Sequence, residues 1–246
     1  MFANSLGTTT DQLSGLFPGT ESEGVQVTFN GTPAPLFNVV ASAAQQQIDV
    51  LIPTNLPTSG TVNVQLTTST ALYPNYTLTM VPANPGFYRL SGNVVAQFNG
   101  TAGLALPVAT TTTLGLPACT STTAATTVCG QPATIGDYLV LYLTGLGLAT
   151  PNGSPTGTPL ATGSVAPADG SVLYETPTTP VVTVGGISAN VLFSGVVPST
   201  AGEYEIVIQV PSGVTNGDTI PIKVTILGAS DTATISIQPR AFLSPA

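Results

Sequence analysis

Glu203 and Glu205 come closest to a reactive pair in this chain. They lie two positions apart on a predicted strand, so their carboxylates share a face and, with a third acid, would hold the ingredients of glycoside chemistry. A solvated strand face explains the same spacing more simply and is the preferred reading. No histidine occurs in the 246 residues. A Ser-His-Asp or Cys-His arrangement therefore cannot form within the chain, and the usual general base at neutral pH is absent. Glu21, Glu23 and Asp218 offer oxygen ligands to calcium, but no run spaces several carboxylates as a calcium loop does, so turn-forming roles are preferred. Gly145, Gly147, Gly185 and Gly186 make no phosphate cradle, since no helix is expected after them and no lysine is near. The expectation is a protein that is not an enzyme, with no catalytic residue, no cofactor and no metal.

The remaining chemistry is covalent or adhesive. Cys119 and Cys129 flank a weakly patterned Thr/Ser/Ala segment, and zinc would need further Cys or His ligands that the chain lacks. An intraloop disulfide is favoured over two free thiols, and with it an oxidising compartment. Tyr73, Tyr76, Phe87 and Tyr88 could stack on sugar rings, although some of them should be core and no tryptophan is present. Asn30, Asn75, Asn99 and Asn152 each begin an Asn-x-Thr/Ser site, which reads first as a polar turn position and as a glycan acceptor only where the source glycosylates it.

Composition narrows the partners. Three basic side chains stand against eleven acidic ones. Nucleic acid is therefore excluded as a partner, because phosphate neutralisation needs patches of lysine and arginine. An electrostatic hold on an anionic membrane fails for the same reason. No apolar run of about 20 residues is present to span a bilayer, and no basic region followed by an apolar one opens the chain. Charged residues make up 6% of the chain and hydrophobic ones 42%, and valine, isoleucine and leucine alternate with polar residues. That pattern predicts folded β-sheet whose solvent faces are threonine, serine, asparagine and glutamine. Few charges remain to keep sheet edges from pairing with other chains.

The elements that carry these residues occur twice. Val27-Thr28-Phe29-Asn30-Gly31 is echoed by Val182-Thr183-Val184-Gly185-Gly186. Ile48, Val50, Ile52 and Pro53, followed by Val62, Val64 and Leu66, match Ile206, Ile208, Val210 and Pro211, followed by Ile220, Ile222 and Val224, at the same spacing. Strands are predicted over residues 25–29, 36–40, 47–52, 62–66 and 76–80, then over 138–143, 181–184, 190–193, 203–210, 220–226 and 232–237. Asn30-Gly31 marks a hairpin turn, and Ser91-Gly92-Asn93 a second one. Strand 138–143 is nearly continuous apolar and reads as covered on both faces.

The fold class expected is all-β, with two tandem immunoglobulin-like β-sandwich domains and an irregular connector. The first sandwich is placed at 1–86, the connector with its hairpin and Cys119/Cys129 flap at 87–132, the second sandwich at 133–240 and a tail at 241–246. Leu141-Tyr142-Leu143-Thr144-Gly145-Leu146-Gly147 aligns without a gap on Met1-Phe2-Ala3-Asn4-Ser5-Leu6-Gly7. The first copy thus begins halfway through its opening strand, which leaves unpaired backbone groups for another segment to fill. The tail, with Ala241, Phe242 and Leu243, is the candidate donor, and the first sandwich near Phe2, Val25 and Val27 the candidate acceptor in a neighbouring subunit. A start cut or misassigned explains the asymmetry equally well.

The run Gly136-Asp137-Tyr138-Leu139-Val140-Leu141-Tyr142-Leu143-Thr144-Gly145-Leu146-Gly147, with Val182-Thr183-Val184-Gly185-Gly186, Gly202-Glu203-Tyr204 and Gln209-Val210-Pro211-Ser212-Gly213-Val214, resembles the uncharacterised C-terminal domain family common in secreted proteins of acidobacteria. The first copy resembles the upstream half of the same region through Val27-Thr28-Phe29-Asn30-Gly31-Thr32-Pro33 and Pro82-Ala83-Asn84-Pro85-Gly86-Phe87. The resemblance implies extracellular β-sandwich modules without an established activity. The expectation is an extracellular or cell-surface structural protein whose partners are copies of itself, forming a homopolymer by strand donation. The alternative is an adhesive or carbohydrate-binding accessory module whose partner is a surface glycan.

Overall fold

The computed structural model describes residues 19–41, 46–120 and 124–239. The described residues are all-β apart from one short helix, Val108–Thr113. The chain divides into two compact units. One comprises Met1–Pro82, Leu148–Tyr174 and Val196–Gly202, and the other Ala83–Gly147, Glu175–Gly195 and Glu203–Ala246.

In the first unit the Asn30-Gly31 signal produces the predicted hairpin. Asn30 and Gly31 take φ of 49° and 81°, the left-handed pair that a two-residue turn requires and that Asn-Gly tolerates. The turn joins Gln26–Phe29 to Thr32–Pro33. On its other side Gln26–Phe29 pairs with Gly60–Thr67, which pairs in turn with Tyr76–Met80. A separate ribbon joins Leu36–Ala41 to Gln46–Val50. Alternate side chains Val25, Val27 and Phe29, with Val62, Val64 and Leu66, turn inward and meet Leu36, Val39 and Ile48 in one core.

The second unit stacks two sheets. One runs in the order Cys129–Gln131, Gly103–Ala105, Ala96–Phe98, Tyr138–Thr144, Tyr204–Gln209 and Asn190–Val196. The other runs Ile187–Ser188, Val181–Val184, Gly217–Ile226, Ala229–Ile237, Asn93–Val94 and Arg89–Leu90. Leu139, Leu141, Leu143, Ile206 and Ile208 from the first sheet and Val182, Val184, Ile222, Val224, Ile235 and Ile237 from the second are buried. This alternation makes the unit sandwich-like.

The sequence repeat is a repeat of register. Val27 faces Leu66 and Phe29 faces Val64, just as Val182 faces Val224 and Val184 faces Ile222. At the turn, the Asn30 N–H donates to the Asn63 carbonyl and the Gly185 N–H to the Pro221 carbonyl, both at 2.8 Å. Asn63 and Pro221 are aligned positions of the two copies, so the same strand triplet is built twice.

Residues 87–132 are not a connector outside both units but part of the second. Phe87 pairs with Leu143, and Ala96 and Phe98 pair with Leu141 and Leu139. Asn93 meets Thr234 in the opposite sheet. Val94, Ala96, Phe98, Ala105 and Leu106 are buried, and removing these alternating apolar side chains from water is what recruits the segment into the second unit. The Ser91-Gly92 turn forms as expected, at φ of 49° and 83°.

Leu148–Tyr174, rich in Pro, Gly, Ser and Thr and inside the span 133–240 assigned to the second sandwich, belongs instead to the first unit. The Thr54 N–H donates to Thr162 Oγ1 at 2.8 Å. Gly202, at φ 80°, lies so close to Leu51 that a β-carbon there would clash. A segment distant in sequence is thus held by polar bonds and one close approach that hydrophobic periodicity does not encode.

Candidate functional site

The titratable groups of interest gather on the outward face of the first sheet of the second unit. In Tyr138–Thr144 the odd positions Leu139, Leu141 and Leu143 point into the core. Period-two alternation therefore turns Tyr138, Val140 and Tyr142 outward. In Tyr204–Gln209 the inward set is Tyr204, Ile206 and Ile208, which leaves Glu205, Val207 and Gln209 outside. Register then sets Tyr142 directly opposite Glu205 and Val140 between Gln97 and Val207. Strand 138–144 is covered on both faces at Val140 but not at Tyr138, which is 48% exposed.

Tyr142 donates its hydroxyl to Gln97 Oε1 at 2.8 Å, and the Gln97 amide nitrogen donates to the Thr101 carbonyl. Burial pushes the Tyr142 hydroxyl upward, and the carboxylates of Glu205 and Glu203 push it further. Burial also raises Glu203, and it raises Glu205 with a second contribution from the charge of Glu203. The pair singled out by spacing is therefore half-desolvated and mutually repelling rather than freely solvated. Among the described residues no hydrogen bond reaches the Glu205 carboxylate.

A groove of about 490 Å³ opens here between residues 97–102, Val140, Tyr142, Glu205 and the loop carrying Ala125 and Thr126. That loop is closed by the Cys119–Cys129 disulfide, with the two Cα atoms 5.0 Å apart. The Ala102 N–H donates to the Ala124 carbonyl, midway along that loop, at 2.7 Å. Gly103 packs under the bridge, where a β-carbon would stand 2.9 Å from Cys119 Sγ. The choice of disulfide over free thiols holds, and the loop it closes walls the groove.

The other candidates resolve into structure. Glu21 Oε1 accepts the Gly24 N–H at 2.7 Å and so caps a turn. Asp218 accepts from Ser236 Oγ at 2.7 Å and Gln238 Nε2 at 3.1 Å, joining neighbouring strands. Three or more metal-ligating side chains do not converge anywhere among the described residues. Asp231 is half of an ion pair with Arg89 at 2.7 Å. Burial pushes its carboxyl up, but donors from the Phe87 N–H, Arg89 and the Thr232 N–H outweigh that and hold it below the ordinary value. Asn30 is exposed, and its side-chain oxygen accepts the Asn63 N–H at 2.8 Å.

The aromatic candidates Tyr73, Tyr76, Phe87 and Tyr88 divide between the two units. Tyr73 packs against the core of the first unit and Tyr76 is exposed in that unit, while Phe87 is buried in the second. The expected assembly residues fare differently again. Val25 and Val27 are 1% and 3% exposed. Val27 lies on a strand paired on both sides, and the Val25 N–H donates to the Ser22 carbonyl at 2.7 Å, so neither offers an open edge. Their inward apolar periodicity served the core instead. Phe2, Ala241, Phe242 and Leu243 lie outside the described residues.

Sequence reasoning missed Tyr142 and Gln97. Tyr142 sat inside an apolar run and Gln97 in the supposed connector, so only cross-strand register could bring them beside Glu205. No family model, curated protein or solved structure matches the chain.

Proposed function

We propose that this is an extracellular, non-enzymatic structural protein whose copies assemble by β-strand addition. The observation that carries the reading is the edge strand Tyr76–Met80. Among the described residues it ends the order of its sheet, with Thr77 and Thr79 exposed, and it contains no charged side chain. Natural sheet edges are usually blunted by lysine, proline or a bulge, because unpaired N–H and C=O groups template another strand. Leu78 and Met80 pack toward the core and fix the register that an added strand would meet. The donor in this reading is the segment around Phe242 and Leu243 of a neighbouring copy, and the acceptor is the Tyr76–Met80 edge rather than Val25 and Val27.

The same proposal takes both units as related immunoglobulin-like sandwiches, in keeping with their shared register. It places the chain with the acidobacterial secreted domains on the strength of the motifs in residues 136–147 and 202–214. The intraloop disulfide supports an oxidising, extracellular setting. No helix among the described residues is long and apolar enough to cross a membrane.

Light scattering and electron microscopy of the protein and of a Thr77→Lys/Thr79→Lys variant test assembly. Filaments from the parent and single molecules from the variant, with equal circular dichroism, are expected, because two exposed charges repel an incoming strand without touching the core. A parent that stays monomeric, or a variant that polymerises equally, overturns the reading. The alternative of a carbohydrate-binding module draws its support from the groove of the second unit.

A further inference from the structure

We propose that the groove bounded by Gln97, Asn99, Thr126, Tyr142 and Glu205 is a binding site for a neutral oligosaccharide. The inference stands apart from the assembly reading, since every residue it uses belongs to the second unit and the assembly edge belongs to the first. Its volume of about 490 Å³ falls within the roughly 300–1,000 Å³ of small-ligand sites.

The lining selects the ligand class. Among the described residues no lysine or arginine borders the groove, and with a net charge of −8 on the chain an anionic ligand would meet repulsion and no counter-ion there. The polar side chains present are the amides of Gln97 and Asn99, the hydroxyls of Thr101 and Thr126, the Tyr142 phenol and the Glu205 carboxylate. Asn99 and Thr126 each both donate and accept, which suits hydroxyl groups that do the same. A simple ammonium ion needs acceptors alone and would leave their donors unused.

Glu205 is the anchor. Its carboxylate is half-buried, lines the groove and takes no protein donor among the described residues, so its oxygens are open to donors from a ligand. Two adjacent hydroxyls of a sugar would supply two donors to its two oxygens as charge-assisted bonds. Tyr142 has already committed its proton to Gln97, so the phenol oxygen faces a ligand as an acceptor, held in place by the amide behind it. Ala125 and Thr126 of the disulfide-closed loop wall the groove next to the Ala102–Ala124 backbone bond, and a wall tied in place lowers the ordering penalty on binding.

Isothermal titration calorimetry with cellotetraose, xylotetraose and mannotetraose, and with ethylammonium chloride as the competing chemistry, tests the site on the full chain. Hydrogen-exchange mass spectrometry then locates any binding. Saturable heat with at least one tetrasaccharide, protection in peptides covering residues 97–102 and 138–144, and about tenfold or greater weakening in Glu205→Gln are expected. The near-isosteric Glu203→Gln variant, which changes a carboxylate outside the lining, should bind within about threefold of the parent, a difference well under 1.4 kcal/mol. The proposal is overturned by no heat with any of the sugars, by protection elsewhere in the chain, by binding that Glu205→Gln leaves unchanged, or by heat with ethylammonium alone.

Discussion

At the residue scale the defining feature is a half-buried carboxylate pair, Glu205 on the strand Tyr204–Gln209 and Glu203 just before it, where the sequence predicted both on one strand. Glu203 and Glu205 are raised above their ordinary value of 4.5. The folded state therefore binds more protons than the unfolded chain in the interval from 4.5 up to the raised values, and stability falls as pH rises through that interval. Replacing both by glutamine removes the slope, so urea midpoints of the double variant, followed by circular dichroism, should vary less between pH 4.5 and neutrality than those of the parent. An unchanged slope would show that burial does not disfavour their charged forms. Asp231 acts in the opposite sense. Lowered from 3.8 by its donors, it contributes stability that is present above 3.8 and is lost as pH falls through its folded value, so Arg89→Ala should weaken the acid resistance of the fold. The spacing of the glutamates was legible in the sequence, whereas their burial was not, because it depends on segments brought beside them by folding.

At the scale of elements, short strands and a covalent loop do most of the positioning. The left-handed Asn30-Gly31 and Ser91-Gly92 turns were legible because their conformation is a local property of those residues. The Cys119–Cys129 loop is local as well, but its place beside Gly103 and Gly130 is tertiary. At Gly130 a β-carbon would run into Thr111 of the short helix, so the loop fits only where glycine leaves room. A Cys119→Ser/Cys129→Ser variant is expected to lose about 2 to 3 kcal/mol through the freed loop entropy, while hydrogen exchange rises in residues 118–131 and the strand Tyr138–Thr144 stays protected. Global unfolding of the variant would instead make the bridge a support of the whole sandwich.

At the scale of the whole molecule, each of the two units carries its own core. Phe29 is buried in the first and Leu141 in the second, at 3% and 0% exposure. Phe29→Ala should cost about 3–5 kcal/mol and Leu141→Ala about 2–5 kcal/mol, from lost transfer energy and the cavity left behind. Hydrogen exchange should rise mainly over residues 26–67 for the first and over residues 138–144 and 204–209 for the second. Equal loosening everywhere in either variant would mean that the chain melts as one cooperative body.

The pairing of Val27 with Leu66 and of Val182 with Val224 follows from patterns written in the chain, since period-two burial leaves a strand only one face to hide and a slip by one residue would expose it. Repetition of that pattern made the strand triplet legible twice over. The recruitment of residues 87–132 into the second sandwich, the return of residues 148–174 to the first unit, and the meeting of Gln97, Tyr142 and Glu205 were decided by folding alone. Each depends on which distant edge a segment completes, and that choice is made by shape and backbone hydrogen bonding between partners far apart in the chain, a quantity no local spacing carries.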